Sequence, residues 1–247
     1  MGKFLTTRLN LYISRTGLAS RRKADALIKQ GAVTVNGNVT REPFTRISQT
    51  DRVAVNGKPI AAAGENIYLM FNKPRGVVTT ADKTFDQLRI FDLLPKKFSG
   101  LRAVGRLDKD SRGLLIMTSD GDFCHQLTHP RFEVEKEYLL TVIGQVQESD
   151  CRKTEQGLDD EGEFLRVKSA KIISYRDNQT QIKIIVCEGK KRHLRRLFKA
   201  LGFGTTDLVR LRTGNLRLGN LAEGKYKLLT KQQACDILGK KHQICNP

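Results

Sequence analysis

The stretch Gly105-Arg106-Leu107-Asp108-Lys109-Asp110-Ser111-Arg112-Gly113-Leu114-Leu115-Ile116-Met117-Thr118 puts carboxylates in a polar, Gly-bounded loop that feeds an apolar strand. A loop held by a sheet is a good seat for catalysis, and a fixed carboxylate there can act as a nucleophile or carry a proton. An Asp in such a loop more often closes a turn or caps a helix, so these residues alone leave Asp108 unassigned. A second chemical feature is the run Lys190, Lys191, Arg192, Arg195, Arg196 and Lys199, interleaved with Leu194, Leu197, Phe198 and Leu201. At helical spacing the apolar residues form one stripe, with Arg195 at its edge and able to reach a cleft, but the residues alone favour phosphate as the partner of these cations, Arg195 included. His125 and His129 stand at i, i+4, a metal-compatible spacing. No Glu follows His125 and no third ligand is evident, so a structural or surface role is expected.

The elements that must hold these residues are legible from periodicity and turn chemistry. Short β-rich runs are expected at Ile67 to Phe71, Leu114 to Thr118, Tyr138 to Ile143, Val167 to Ser174 and Gln181 to Val186. Helices are expected at Ser119 to Thr128, Lys190 to Leu201 with Gly202 as its stop, and Lys231 to Leu238. Upstream, Leu9, Tyr12 and Ile13 recur at helical spacing, and Ser20 stands as N-cap ahead of a basic amphipathic helix from Arg21 to Gln30. Asn36-Gly37 and Asn56-Gly57 are type I′ hairpin signals within a strand-rich stretch. Residues 61–66 are small and polar, without apolar periodicity, and mark a linker. The chain is therefore read as α+β: a helix-helix-strand module over 1–60, a linker over 61–66, a larger domain of mixed or antiparallel sheet over 67–240, and a frayed tail over 241–247.

Composition limits the partners. The formal net charge is +18, and residues 1–60 hold 11 Lys and Arg against 3 Asp and Glu. Such an excess points to a polyanion. No run approaches the roughly 20 apolar residues of a membrane-spanning helix and no segment resembles a signal peptide, so the expectation is a cytoplasmic protein without a membrane partner. The 5 cysteines (124, 151, 187, 235 and 245) are odd in number and lack Cys-x-x-Cys spacing, which predicts reduced thiols and no zinc ribbon.

Arg8-Leu9 with Tyr12-Ile13, then Ala19-Ser20-Arg21-Arg22 with Ala24, then Gly31-Ala32-Val33 and Val35-Asn36-Gly37, resemble the small RNA-binding module named for ribosomal protein S-four. In the larger domain, Gly-Arg-Leu-Asp followed by Ser-x-Gly-Leu-Leu resembles the signature loop of pseudouridine synthases. Asn72-Lys73-Pro74-Arg75-Gly76, Glu135-Lys136-Glu137-Tyr138, and Glu188-Gly189 leading into Arg195-Arg196 resemble that family's other motifs. Together with the N-terminal module they resemble the RsuA family, which modifies ribosomal RNA, over about residues 8–232.

That resemblance implies isomerisation of a flipped uridine to pseudouridine, with Asp108 as the essential carboxylate and Tyr138 as a ring stacked on the uracil. It implies Arg195 as the cation that keeps Asp108 ionised. Enclosure can raise a carboxyl pKa by up to about 3–5 units. A cation about 4 Å away at an effective dielectric near 20 contributes about 4 kcal/mol, or roughly 3 units. The reaction as implied needs no cofactor, nucleotide or metal. The implied RNA contacts are Arg8, Arg21, Arg22, Lys23, Lys73, Arg106, Lys190, Arg192 and Arg196, and the chain is expected to act as a monomer. His193 departs from the family's usual Gln and adds a titratable group near the proposed site. A noncatalytic RNA-binding or ribosome-assembly factor, and the same chemistry on tRNA, are the rival readings.

Overall fold

The computed structural model describes residues 6–48, 50–61, 64–82 and 86–239, and the chain divides between Asn66 and Ile67. Ala62 and Ala63 of the expected linker, residue 240 and the expected frayed tail lie outside those residues. The first unit runs β1 (Thr7–Arg8), α1 (Leu9–Arg15), α2 (Arg21–Lys29), β2 (Val33–Val35), β3 (Asn38–Val39), β4 (Arg46–Ile47), β5 (Val53–Val55) and β6 (Lys58–Ile60). Ser20 caps α2 by accepting from the Lys23 N–H at 3.3 Å, which satisfies one of the donors a helix start leaves orphaned. Leu9, Ile13, Ala24 and Ile28 close against Val33, Ile47, Val53 and Val55, while Arg21, Arg22 and Lys23 stay exposed. Asn36-Gly37 and Asn56-Gly57 all have positive φ, as type I′ turns demand. These turns join β2 to β3 and β5 to β6 in a sheet ordered β3-β2-β5-β6.

The second unit comprises β7 (Tyr68–Lys73), β8 (Arg102–Val104), β9 (Arg112–Thr118), α3 (Gly121–Thr128), β10 (Lys136–Ile143), α4 (Glu148–Gln156), β11 (Leu158–Asp160), β12 (Glu163–Leu165), β13 (Ser169–Arg176), β14 (Gln179–Val186), α5 (His193–Ala200), β15 (Thr205–Thr213), β16 (Leu216–Arg217), β17 (Tyr226–Leu229) and α6 (Lys231–Leu238). Its main sheet is ordered β13-β14-β10-β15-β9-β7-β17. All neighbours on that path are antiparallel except β15 and β9. β7 and β9 bury both faces, which is why they read as continuous apolar runs. Leu69, Phe71, Leu115 and Met117 join one core with Leu194, Leu197 and Phe198 of α5. Tyr68, Met70, Leu114 and Ile116 join the other with Phe123, Leu127, Ala234 and Ile237 of α3 and α6. The fold class is α+β, as expected, and no helix among the described residues is long and apolar enough to cross a membrane.

Several expectations need correction. The helix expected from Lys190 begins at His193, because Arg192 is left-handed at φ 52° and the His193 N–H closes a turn onto the Lys190 carbonyl. The helix expected from Ser119 begins at Gly121. Asp120 is its cap, accepting from the Asp122 and Phe123 N–H groups, whereas the Ser119 hydroxyl accepts from the Ile67 N–H. Cys124, Cys151 and Cys187 are free, but Cys235 is disulfide-bonded and departs from the reduced state read from cysteine spacing, which does not report what folding brings together.

The parallel contact between β9 and β15 places a strict demand on one position. Gly113 has φ 105°, and a Cβ there would lie 2.4 Å from the Arg210 carbonyl oxygen, so both backbone shape and space demand glycine. Gly113→Ala is expected to lower Tm by about 5 °C or more, whereas Gly219→Ala, at φ 59° with nothing within 4 Å, costs only the strain of a left-handed residue, about 1 kcal/mol. Thermal unfolding followed by circular dichroism checks both.

Candidate active site

Asp108 sits in the loop between β8 and β9, and two neighbouring segments fix that loop by its backbone. The Thr79 hydroxyl donates to the Leu107 carbonyl at 2.8 Å and accepts from its N–H at 3.3 Å. The Lys73 ammonium, at the end of β7 and fully buried, donates to the carbonyls of Ser111 at 2.6 Å, Pro74 at 3.1 Å and Lys109 at 3.3 Å. The Gly76 N–H adds a bond to Lys109 O at 2.8 Å. The Asn-Lys-Pro-x-Gly turn and the Asp108 loop are thus one hydrogen-bonded piece. Burial pushes the Lys73 pKa down to about 8, opposed first by the negative charge of Asp108 and then by Asp110.

The Asp108 carboxylate itself is half-buried and has no hydrogen-bond or ion-pair partner among the described residues. It lines a cleft of about 850 Å³ together with Lys136, Tyr138, His193 and Arg210. Tyr138 is 9% exposed and belongs to the core on its inner side. Its hydroxyl accepts from Arg210 Nη1 at 3.5 Å, and Arg210 Nε donates to the Leu114 carbonyl at 2.6 Å. Lys136 donates to the Val134 carbonyl at 3.0 Å. Its pKa is lowered to about 8 by burial and, next, by the charge of Arg210.

A β-bulge aims these groups. Tyr138 lies opposite Arg210 and Glu137 opposite Arg212, so the register skips Leu211. Consecutive residues of β10 face opposite ways, and each arginine follows its partner. Arg210 goes with Tyr138 to the cleft, and Arg212 pairs with Glu135 at 3.0 Å and Glu137 at 3.4 Å.

The expected ion pair between Arg195 and Asp108 is not closed. Arg195 is buried and donates through Nη2 to the Asp110 carbonyl at 3.0 Å, two residues beyond Asp108. Burial lowers its pKa, with Arg192 adding to that effect, while Asp110 and Asp108 pull the other way. The structure therefore brings Asp108 and Tyr138 to one cleft and puts Arg195 against the loop that carries Asp108.

His193 lines the same cleft. It is 5% exposed, and neither ring nitrogen has a partner that satisfies hydrogen-bond geometry. Burial, outweighing Glu188, lowers that pKa and keeps the ring neutral at pH 7.

Among the expected RNA contacts, Arg106 is exposed at the cleft, and Arg8 lies over the exposed Phe44 ring at 5.3 Å. Arg192 stays 46% exposed, 3.8 Å from Asp110, and Lys190 donates to the Phe164 carbonyl. Lys73 and Arg196 do not fit an RNA contact. Lys73 is enclosed by carbonyls, and Arg196 is engaged by Asp160 at 2.5 Å and Glu163 at 2.6 Å. Arg210 and Lys136 were not singled out from the sequence as cleft cations. For Arg210 the signal was hidden by the alternating charges of Thr205–Thr213, and for Lys136 it was present in the Lys-x-Tyr pattern.

Residues 67–200 match the family model described as RNA pseudouridylate synthase, and residues 7–53 match the S4 domain. The chain is 35% identical to the ribosomal large subunit pseudouridine synthase B of Bacillus subtilis (strain 168), over 92% of this chain and 93% of that protein. It is 31% identical to the ribosomal small subunit pseudouridine synthase A of Pasteurella multocida (strain Pm70), over 92% of this chain and 97% of that one. A crystal structure of a pseudouridylate synthase superposes with a TM-score of 0.66 at 31% identity, covering 93% of this chain and 99% of that chain. With an S4 module at its N-terminus and the Asp108 loop within the matched region, this chain belongs to the RNA pseudouridylate synthase family.

Proposed function

We propose that this chain isomerises a uridine of ribosomal RNA, with Asp108 as the carboxylate that attacks or assists at C1′ of the sugar. The observation that carries the reading is the state of Asp108: fixed by its backbone, facing a cationic cleft, and bound to no other side chain. A cleft of about 850 Å³ falls within the range of about 300–1,000 Å³ typical of small-ligand sites. A uridine stacked in a helix cannot reach such a group, so the base is extruded into the cleft and Tyr138 stacks on it. The N1–C1′ bond breaks, the ring turns, and C5 bonds to C1′; the C5 proton leaves and N1 gains one. Substrate and product have the same atoms and oxidation state.

Arg195 supports Asp108 by holding the Asp110 carbonyl and by its field rather than by a closed ion pair. The S4 unit supplies the docking surface through Arg8, Arg21, Arg22 and Lys23, and ribosomal RNA as substrate is favoured by the names of the Bacillus and Pasteurella relatives.

RNA carrying tritium at C5 of uracil is expected to release its label with the native protein and at least about 10³-fold more slowly with Asp108→Asn; undiminished release would overturn the assignment. Replacing Arg21, Arg22 and Lys23 together by Ala is expected to lower the slope of log affinity against log salt by about 2–3 while leaving the saturated rate intact. Pseudouridine maps of both ribosomal subunits and tRNA, from cells with and without the gene, are expected to differ at a ribosomal position; a difference confined to tRNA would refute the ribosomal assignment.

A further inference from the structure

Three arginines of the second unit satisfy their charge with two carboxylates each. Arg112 pairs with Asp207 and Glu223, Arg196 with Asp160 and Glu163, and Arg212 with Glu135 and Glu137. Arg210 is different. It is 3% exposed, and among the described residues no carboxylate forms an ion pair with it. Its contacts are two neutral oxygens, the Leu114 carbonyl and the Tyr138 hydroxyl. Lys136, two residues before Tyr138 on β10, lies near enough for the charge of Arg210 to depress its pKa, and its recorded acceptor is another neutral carbonyl. Two cations thus line one cleft without a closed ion pair among the described residues, although Asp108 and Glu188 also line it. Burying unpaired charge is costly. Arg195 and Lys73 are likewise buried on carbonyl oxygens, but they do not line the cleft, whereas Arg210 and Lys136 do, where an anion can arrive from outside.

Two anions are available from RNA: a phosphate, and the uracil ring during reaction. Position separates them. Exposed Arg106, Lys109 and Lys191 on the cleft suit a solvated backbone, whereas Arg210 is buried against the Tyr138 hydroxyl, beside the ring on which the base is read to stack. When the N1–C1′ bond breaks, its electron pair stays on the base, giving a monoanion with charge spread over N1, O2 and O4. A planar guanidinium fork matches such an edge.

We infer that Arg210, with Lys136 as a supporting charge, stabilises the detached uracil anion. This rests on the reading of Asp108 and Tyr138 given above. Arg210 transfers no proton; the ring loses its negative charge as C5 bonds to C1′, after which C5 releases its proton and N1 takes one up. Preorganised donors aimed at developing charge are worth about 10²–10³ in rate for each donor removed.

The test compares uridine with 5-fluorouridine at the target position, using the full chain under single-turnover conditions and following consumption of the nucleoside. Fluorine withdraws electron density and stabilises the uracil anion, so departure depends less on Arg210. Arg210→Gln is expected to slow uridine by about 100-fold, to bind RNA with unchanged affinity, and to slow 5-fluorouridine by at least about 10-fold less. Arg210→Lys, which keeps the charge but loses the fork, is expected to fall between, and it carries the same comparison should Arg210→Gln not melt like the native protein. Equal slowing on both substrates would overturn the proposal. So would weaker RNA binding, with a salt slope reduced by about 1 and a normal saturated rate, which would mark a phosphate contact. Asp108→Asn separates the levels: activity in that variant defeats the underlying reading, whereas an inactive Asp108→Asn with no fluorine effect defeats only the role of Arg210.

Discussion

At Gly113 the backbones of β9 and β15 approach so closely that the Arg210 carbonyl oxygen occupies the space of a side chain. β9 continues directly from the Asp108 loop, and β15 carries Arg210 two residues beyond Leu208 of the main core. The parallel pairing Arg210↔Gly113 therefore sets the distance between the carboxylate loop and the cation opposite it. β10 lies on the far side of β15, and its Tyr138 enters the same cleft through the bulge at Leu211. A residue larger than glycine at 113 would push apart the strands that bring these segments together.

The Asp108 loop adds a second constraint, because its carbonyls rather than its carboxylates collect the buried cations. Lys73 binds the carbonyls of Lys109 and Ser111, and Arg195 binds that of Asp110. Charged donors make hydrogen bonds roughly twice as strong as neutral ones, so the loop is stiffened while Asp108 remains unbonded. This division lets one short segment be rigid and still present an unbonded carboxylate. An ion pair with Arg195 would hold Asp108 charged, but it would also occupy the carboxylate oxygens that the proposed reaction uses.

Much of this was legible in the sequence. Ser20 caps its helix, both Asn-Gly pairs turn as type I′ hairpins, and Lys231–Leu238 is helical, because short-range chemistry decides these elements. Asp108 and Tyr138, recognised by motif, do line one cleft. β15 was not legible, since Asp207, Arg210 and Arg212 interrupt an apolar pattern and are accommodated only by partners from distant segments: Arg112, the cleft and Glu137. The contact made by Arg195 was equally hidden. Its helix position was readable, but which oxygen of the loop it reaches depends on how Lys73 and Gly76 turn the loop's carbonyls.

A net charge of +18 suits RNA docking, yet its distribution carries the chemical information. Away from the cleft, carboxylates are spent in pairs on Arg112, Arg196 and Arg212, which locks β9, α5 and β15 to their neighbours. At the cleft, Lys136 and Arg210 stand without carboxylate partners, and among the described residues Asp108 stands without a cationic one. A stability-driven arrangement would have closed these charges on one another, since leaving buried charges unpaired costs several kcal/mol. Holding Asp108 by its backbone and Arg210 on neutral oxygens leaves opposite charges available in one cleft. On the proposed function, cleavage of a glycosidic bond to uracil would create charge in that sense, electron-poor at the sugar and electron-rich on the base, so unpaired charges of both signs in the cleft would complement the bond as it breaks.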